Sequence, residues 1–348
     1  MEGAPDIETE RGARRSHDAA APRGRVSLRS LVVAYVVTAS FLVSMNFLIP
    51  RSMPGDPIAA LEDPSAPTYV GDDATRASLA EYYGLDEPLA VQYGRYLAAL
   101  ARFDLGTSIR YRAPVAELIR ERLPWTLLLV ATAMGLATAL GLPAGIHSAW
   151  RRSRPVDRGL LGLFLALRSF PPFFLGSLAM FVFAVELRWF PVAGATDPFV
   201  RGEDLGWRLL DVAHHLALPA LVLGSQLAAV QYLVMRGSMV AELGADYLVL
   251  GLAKGLPDRR LKYRYAARNA LLPAVTVIAL QLGITVTGSI FVETVFSYPG
   301  LGRLLFDAIG FRDYPVLQGT FLVLSLSVLA ANLLAEFLYA RLDPRVRS

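Results

Sequence analysis

The chain has 348 residues, of which 54% are hydrophobic and only 18% charged, and its mean hydropathy is +0.42. Soluble domains carry about 25% charged residues, so this composition points to a lipid bilayer. The pI near 9.4 would suit nucleic acid, but the basic residues fall in short runs beside apolar segments, which is a pattern of membrane topology, and no nucleic-acid partner is expected.

Residues 1–27 mix Arg, Asp, Glu, Ala and Pro without apolar periodicity and read as a mobile cytoplasmic tail. Residues 28–49 form the first expected span, preceded by Arg23 and Arg25 and containing Arg29. A signal peptide is the alternative, but the apolar run is longer than an h-region and ends in Pro50-Arg51 rather than at a small-residue cleavage site. Residues 50–123 carry more acidic than basic side chains and suit the outer face. They hold a turn cluster, Pro54-Gly55-Asp56-Pro57, and from 74 to 102 a helical spacing interrupted at Gly84-Leu85-Asp86-Glu87-Pro88. Short helices lying on the outer membrane surface are expected there.

The second span covers 125–149, and Arg151, Arg152, Arg154 and Arg158 against the single Asp157 mark its cytoplasmic end. The third, 159–190, returns outward and must kink or break at Pro171-Pro172. An acidic outer loop with Asp197, Glu203, Asp204 and Asp211 follows, and the fourth span, 216–235, runs inward to Arg236. The fifth and sixth spans cover 271–296 and 316–339, and Arg341, Arg345 and Arg347 close the chain inside. The expected architecture is an all-α integral membrane protein, with six transmembrane helices in one domain over 28–348 and both termini cytoplasmic. No internal repeat supports an inverted-repeat transporter.

The loop at 237–270 is the most informative stretch. Lys254, Arg259, Arg260, Lys262, Arg264 and Arg268 outnumber Glu242, Asp246 and Asp258, which places it on the cytoplasmic side. Met239, Leu243, Tyr247 and Leu250 recur at helical spacing, and Ala253-Lys254-Gly255-Leu256 supplies a glycine stop. An amphipathic element exposed there is a docking surface; a solvated basic loop is the plain alternative.

Catalytic chemistry finds little support. With no cysteine, disulfides and thiolate metal sites are excluded, and His17, His147, His214 and His215 include no i, i+4 pair for a zinc helix. No Gly-x-Ser-x-Gly elbow and no G-x-x-x-x-G-K-[ST] loop occurs, so the chain does not hydrolyse a nucleotide itself and no cofactor is expected. Ionisable residues inside spans remain. Arg168 either lines a polar path or an interface between subunits, or reaches the cytoplasm along its own stem. Glu293 either gates or caps the exit region or rests at the interface, and Glu186 and Arg188 fit interfacial positions. Gln226, Gln231, Gln281 and Asn332 fit hydrogen bonds between helices.

From residue 28 to 347 the sequence resembles the permease subunits of binding-protein-dependent ABC importers, in the peptide/nickel branch and closest to its B-type subunits. The resemblance rests on Asp246-Tyr247, Ala253-Lys254-Gly255-Leu256, Arg268-Asn269-Ala270-Leu271-Leu272-Pro273 and Glu293-Thr294-Val295-Phe296. It also rests on Pro299-Gly300-Leu301-Gly302, Arg312-Asp313-Tyr314-Pro315 and Leu342-Asp343-Pro344-Arg345, and, before them, on Asp104-Leu105-Gly106-Thr107-Ser108. The resemblance implies a type I permease fold. Its cytoplasmic coupling helix, carrying Asp246, Tyr247, Gly251, Ala253, Lys254, Gly255 and Leu256, would dock on an ATPase subunit. It further implies a second homologous permease, two ATP-binding subunits and an extracytoplasmic solute-binding protein as partners. The cargo would be peptides, or nickel chelates and other small solutes. Two departures from the family pattern stand out: the acidic residue of its EAA motif is missing at Val249, and Gly251 stands where the branch commonly has alanine. A stand-alone secondary transporter or channel is the alternative; it would need a charged relay in its own spans, for which only Arg168 offers itself.

Overall fold

The computed structural model describes residues 28–52, 87–198 and 204–342. The tail at 1–27, the Pro54-Gly55-Asp56-Pro57 cluster, the helical run at 74–86, Glu203 and the closing Arg345 and Arg347 lie outside the described residues. Regular structure among the described residues is helical throughout; the only strand-like contact is an isolated bridge between Thr107 and Pro114.

The chain divides into two compact units, one ending at Phe41 and the other beginning at Leu42. In the first, helix α1 (Leu28–Ser52) begins, and it exposes Val32, Val33, Val36, Val37 and Phe41. The second unit holds the rest: α2 (Leu89–Ala101), α3 (Val115–Trp150), α4 (Pro155–Ser169), α5 (Pro172–Glu186) and α6 (Leu205–Glu242). After them come α7 (Asp246–Ala253), α8 (Asp258–Val295), α9 (Leu301–Phe311) and α10 (Tyr314–Leu342). By length and apolarity α1, α3, α6, α8 and α10 suffice to cross a membrane, and α4 with α5 makes a sixth crossing if the pair is one span.

The residues expected as a single third span are two helices that meet at 103°. The cause is local. A residue that precedes proline is driven out of the helical region, and here two do so in succession: Phe170 (ψ 136°) before Pro171, and Pro171 (ψ 142°) before Pro172. The break leaves the last carbonyls of α4 without helical partners. Gln226 of α6 answers them, its Nε2 donating to Leu167 O at 2.8 Å and to Phe170 O at 3.3 Å.

Helices α3 and α6 form the closest pair in the second unit because small residues line their contact. A Cβ on Gly145 would lie 2.9 Å from Tyr232 O, and one on Gly224 would lie 3.0 Å from Ala133 O. Helix α8 packs against both, and Val292 and Phe296 join Leu129, Ala133, Val222 and Leu223 in one apolar core. At the other side of α8, Leu301, Leu304 and Leu305 of α9 and Val316 and Leu317 of α10 close a second core over Val115 and Ile119.

The 237–270 stretch differs from a loop. Helix α6 continues to Glu242 and α8 begins at Asp258, so most of the basic residues ride on helical extensions rather than on irregular chain. Nor is 239–250 one helix. It breaks at Leu243–Ala245, where Ala245 is extended (ψ 138°) and Gly244 is a poor helix former. Met239 therefore belongs to α6, and Tyr247 and Leu250 to α7.

Candidate functional site

Helix α7 has eight residues, too few to persist alone in water, and three supports hold it. Leu248 is buried in a core made by Ile146 and Ala149 of α3, Met235 and Met239 of α6, and Leu261, Ala266 and Ala270 of α8. The Tyr247 hydroxyl donates to Glu242 Oε2 at the end of α6 and also meets the Asn269 side chain on α8. Burial, and then the Glu242 carboxylate, push the Tyr247 phenol above its ordinary pKa, so it stays a donor.

The third support is the turn that ends the helix. Gly255 N–H donates to Leu252 O at 2.9 Å, and Leu256 N–H donates to Gly251 O at 3.1 Å. These are the paired closing bonds of a Schellman motif, and they need a left-handed residue between them. Gly255 provides it, with φ +72°. The signature Ala253-Lys254-Gly255-Leu256 is thus a helix stop whose glycine is required by backbone conformation. Nothing crowds the position of its absent Cβ.

Gly251 answers to packing instead. A Cβ there would come within 2.5 Å of Leu261 Cδ2, and Leu261 is buried in the α7 core. The glycine in place of the branch's usual alanine therefore accompanies close seating of α7 on the first turns of α8. Gly251→Ala should displace Leu261 and destabilise the protein by about 1–3 kcal/mol, the range for overpacked cores. Thermal unfolding of the purified protein measures it, and an unchanged melting temperature would show that Leu261 has room to turn.

What α7 presents outward is apolar. Val249, Leu250 and Leu252 are 61%, 55% and 58% exposed, with Lys254, Arg259, Arg260 and Arg264 exposed beside them. Lys262 departs from this ring of cations. It is buried, with Nζ 3.3 Å from His147 Nδ1 and 4.8 Å from the Tyr263 ring centre. An apolar ridge with a basic surround fits a groove that is apolar at its floor and acidic at its rim.

The two other expected site residues stand elsewhere. Arg168 lies in the last turn of α4, at the 103° bend, exposed and without a hydrogen bond or ion pair among the described residues. Glu293 is fully buried between α3, α8 and α9. Its Oε1 accepts from Thr126 (2.8 Å) and Ser289 (3.0 Å), and its Oε2 accepts from the Arg303 amide (3.1 Å), so it caps the start of α9. Gln231 Nε2 donates to Gln281 Oε1 at 3.1 Å, a bond between α6 and α8.

Two clusters went unread in the sequence. Asp313 receives Ser108 Oγ at 2.5 Å, the Arg110 amide at 3.1 Å and the Val316 amide at 3.3 Å. It ties the 104–108 signature to the 312–315 signature and caps α10. Asp157 forms a two-pronged ion pair with Arg236, at 2.8 and 2.9 Å. The available signal was that Asp157 is the lone acid in an arginine run.

Residues 141–348 match the family model of the inner membrane component of binding-protein-dependent transport systems. The glutathione transport system permease protein GsiC of Salmonella paratyphi A is 38% identical over 91% of this chain and 97% of its own length. The same-named protein of Escherichia coli O6:H1 is 38% identical over 90% of this chain and 96% of its own. The oligopeptide transport system permease protein AppB of Bacillus subtilis is 36% identical over 87% and 93%. The absence of a nucleotide-binding loop in the sequence agrees with a subunit that leaves ATP hydrolysis to partner chains. Spans joined by packed helices, a helix offered at one end and these likenesses together place the chain: it belongs to the inner membrane components of binding-protein-dependent transport systems, the permease subunits of ABC importers.

Proposed function

We propose that α7 is the coupling helix of this permease and docks in a groove of an ATP-binding subunit. The observation that carries the reading is the ridge of Val249, Leu250 and Leu252, exposed on a helix that the rest of the chain holds rigidly. In the assembled importer this chain pairs with a second, homologous permease. Two ATP-binding subunits sit on the α7 side, and a solute-binding protein delivers cargo to the opposite face. The basic residues around α7 support a cytoplasmic position for it, with both termini on the same side. The spans then cover about 28–49, 125–149, 159–190, 216–235, 271–296 and 316–339. Peptides are the cargo best supported, since the relatives are named for glutathione and oligopeptide transport. Arg168, exposed at the bend with no ion pair among the described residues, suits the translocation path or the seam with the second permease.

A tagged chain recovered from detergent-solubilised membranes tests this reading. Wild type should bring down the ATP-binding subunits and the second permease, identified by immunoblot. Leu250→Glu should keep the second permease and lose the ATP-binding subunits at least tenfold, because it places a charge in the centre of the buried contact. Undiminished recovery of the ATP-binding subunits by the variant would place the dock elsewhere.

A further inference from the structure

Three of the long elements meet in a polar node just inside the α7 end of the molecule. Asp157, in the first turn of α4, is 3% exposed. Its Oδ1 accepts from Ser148 Oγ at 2.5 Å and Arg236 Nε at 2.8 Å, and its Oδ2 accepts from Arg236 Nη2 at 2.9 Å and the Ser153 amide at 3.0 Å. The Ser148 hydroxyl also lies 2.6 Å from the hydroxyl of Tyr232, one turn before Arg236 on α6. Every lone-pair direction of the carboxylate is used. Arg236, with the carboxylate so close, holds the Asp157 carboxyl well below the usual carboxylate range. The pair is therefore ionised across the whole physiological pH interval.

The fork geometry fixes direction as well as distance. An arginine bound to one carboxylate through two parallel N–H groups resists rotation of α4 about α6, which a single hydrogen bond would permit. Phe164 of α4 stacks on Tyr232 at 4.3 Å between ring centres, so the two helices are joined at a second level. Beyond Arg236, α6 runs on to Glu242, which holds Tyr247 of α7. A continuous line thus leads from α7 through Tyr247, Glu242 and Arg236 to Asp157. It continues along α4 to the bend where Arg168 stands.

We infer that the Ser148–Asp157–Tyr232–Arg236 node is the joint through which displacement of α7 is passed to α4, so that α3, α4 and α6 move as one body during transport. The inference rests on the reading of α7 as the coupling helix. Asp157 and Arg236 act here as positioning residues. They touch neither nucleotide nor cargo, and they set how much of the ATPase movement reaches the bent α4–α5 element.

The assembled importer in proteoliposomes, with its ATP-binding subunits and solute-binding protein, provides the test. Asp157→Asn alone leaves Arg236 as an uncompensated, half-buried cation and can lower assembly. The double variant Asp157→Asn/Arg236→Gln removes both charges together and keeps hydrogen-bonding groups. It should assemble, hydrolyse ATP within twofold of wild type and move at least tenfold less solute per ATP. A fall of hydrolysis and transport in equal proportion would reduce the node to a stabilising contact, and wild-type transport per ATP would overturn the inference.

A second measurement is independent of where the ATPases dock. The chain has no cysteine, so spin labels can be placed on Gly159→Cys in α4 and Gly237→Cys in α6, both exposed positions with open space around them. The distance between the labels should be the same with and without trapped ATP in the wild-type background, and should broaden or shift in the double variant. A wild-type change of about 5 Å or more, one helical turn, would show that α4 and α6 part during the cycle and would end the proposal. If Leu250→Glu retains its ATP-binding subunits, the docking reading fails while this distance still reports on the node.

Discussion

Glu293→Leu is expected to lower the stability of the purified complex by about 3 kcal/mol or more, while Glu293→Gln loses much less. The carboxylate is fully buried, and all its partners donate to it: two hydroxyls on one oxygen and the start of α9 on the other. Leucine takes the acceptor from the Arg303 amide at the start of α9 and from the Thr126 hydroxyl proton at once, while Ser289 falls back on Val286 O and Thr126 keeps only the Leu301 amide that donates to it. Each unsatisfied buried group costs about 1–3 kcal/mol. Glutamine can direct its oxygen at the backbone amide, which cannot reverse its role. Its NH2 then faces Thr126 and Ser289, whose hydroxyls can turn to accept. Thermal unfolding of the two variants beside wild type reads the difference. Equal loss in both would show that charge, rather than capping geometry, is what α9 requires. The neighbouring glycines make the site demanding: a Cβ on Gly302 would stand 2.6 Å from Ile290 Cα. The signatures Glu293-Thr294-Val295-Phe296 and Pro299-Gly300-Leu301-Gly302 are two halves of one cap.

Gly255→Val is expected to abolish capture of the ATP-binding subunits, by at least tenfold, while leaving the permease pair intact. The residue sits at φ +72°, where an ordinary side chain costs about 1–2 kcal/mol and a β-branched one more. An eight-residue helix whose stop depends on two bonds around this glycine has little reserve. Gly255→Asn, which tolerates the left-handed region, should retain most of the capture. Quantitative immunoblotting of both variants against wild type decides it. Equal loss with asparagine would show that the small size of the glycine, and not its conformation, is what the partner needs. Space alone would permit either side chain, since nothing lies near the missing Cβ.

Apolar run length and basic flanks made the membrane class and the long helices legible, because both reflect solvent preference residue by residue. The break at Pro171-Pro172 was equally legible, since it follows from local sterics. The 103° angle was not, because it depends on how α6 receives the broken end. Helix length misled at the α7 side. Polar composition suggested a loop at 237–270, yet α6 and α8 continue through it, because helices need not stop where lipid does. In the candidate site, Gly255 could be read from its place after a periodic segment. Gly251 could not, because its reason is Leu261, ten residues on and in another helix. The Asp157–Arg236 pair lies 79 residues apart in sequence. Each partner had a sufficient local explanation as a topology signal, which hid the contact.

The bend between α4 and α5 also constrains how the chain is made. Each arm has 15 residues, about 22 Å of helix, less than the roughly 30 Å of a hydrocarbon core. Among the described residues, the carbonyls of Leu167 and Phe170 at the bend find their donor in Gln226, a residue translated up to 59 positions later. Bare carbonyls in lipid cost several kcal/mol. The ribosome therefore delivers a bent segment that has no comfortable resting place in the bilayer until α6 has followed it. Its settlement is an act of the later chain, and the order of synthesis becomes part of the folding of this subunit.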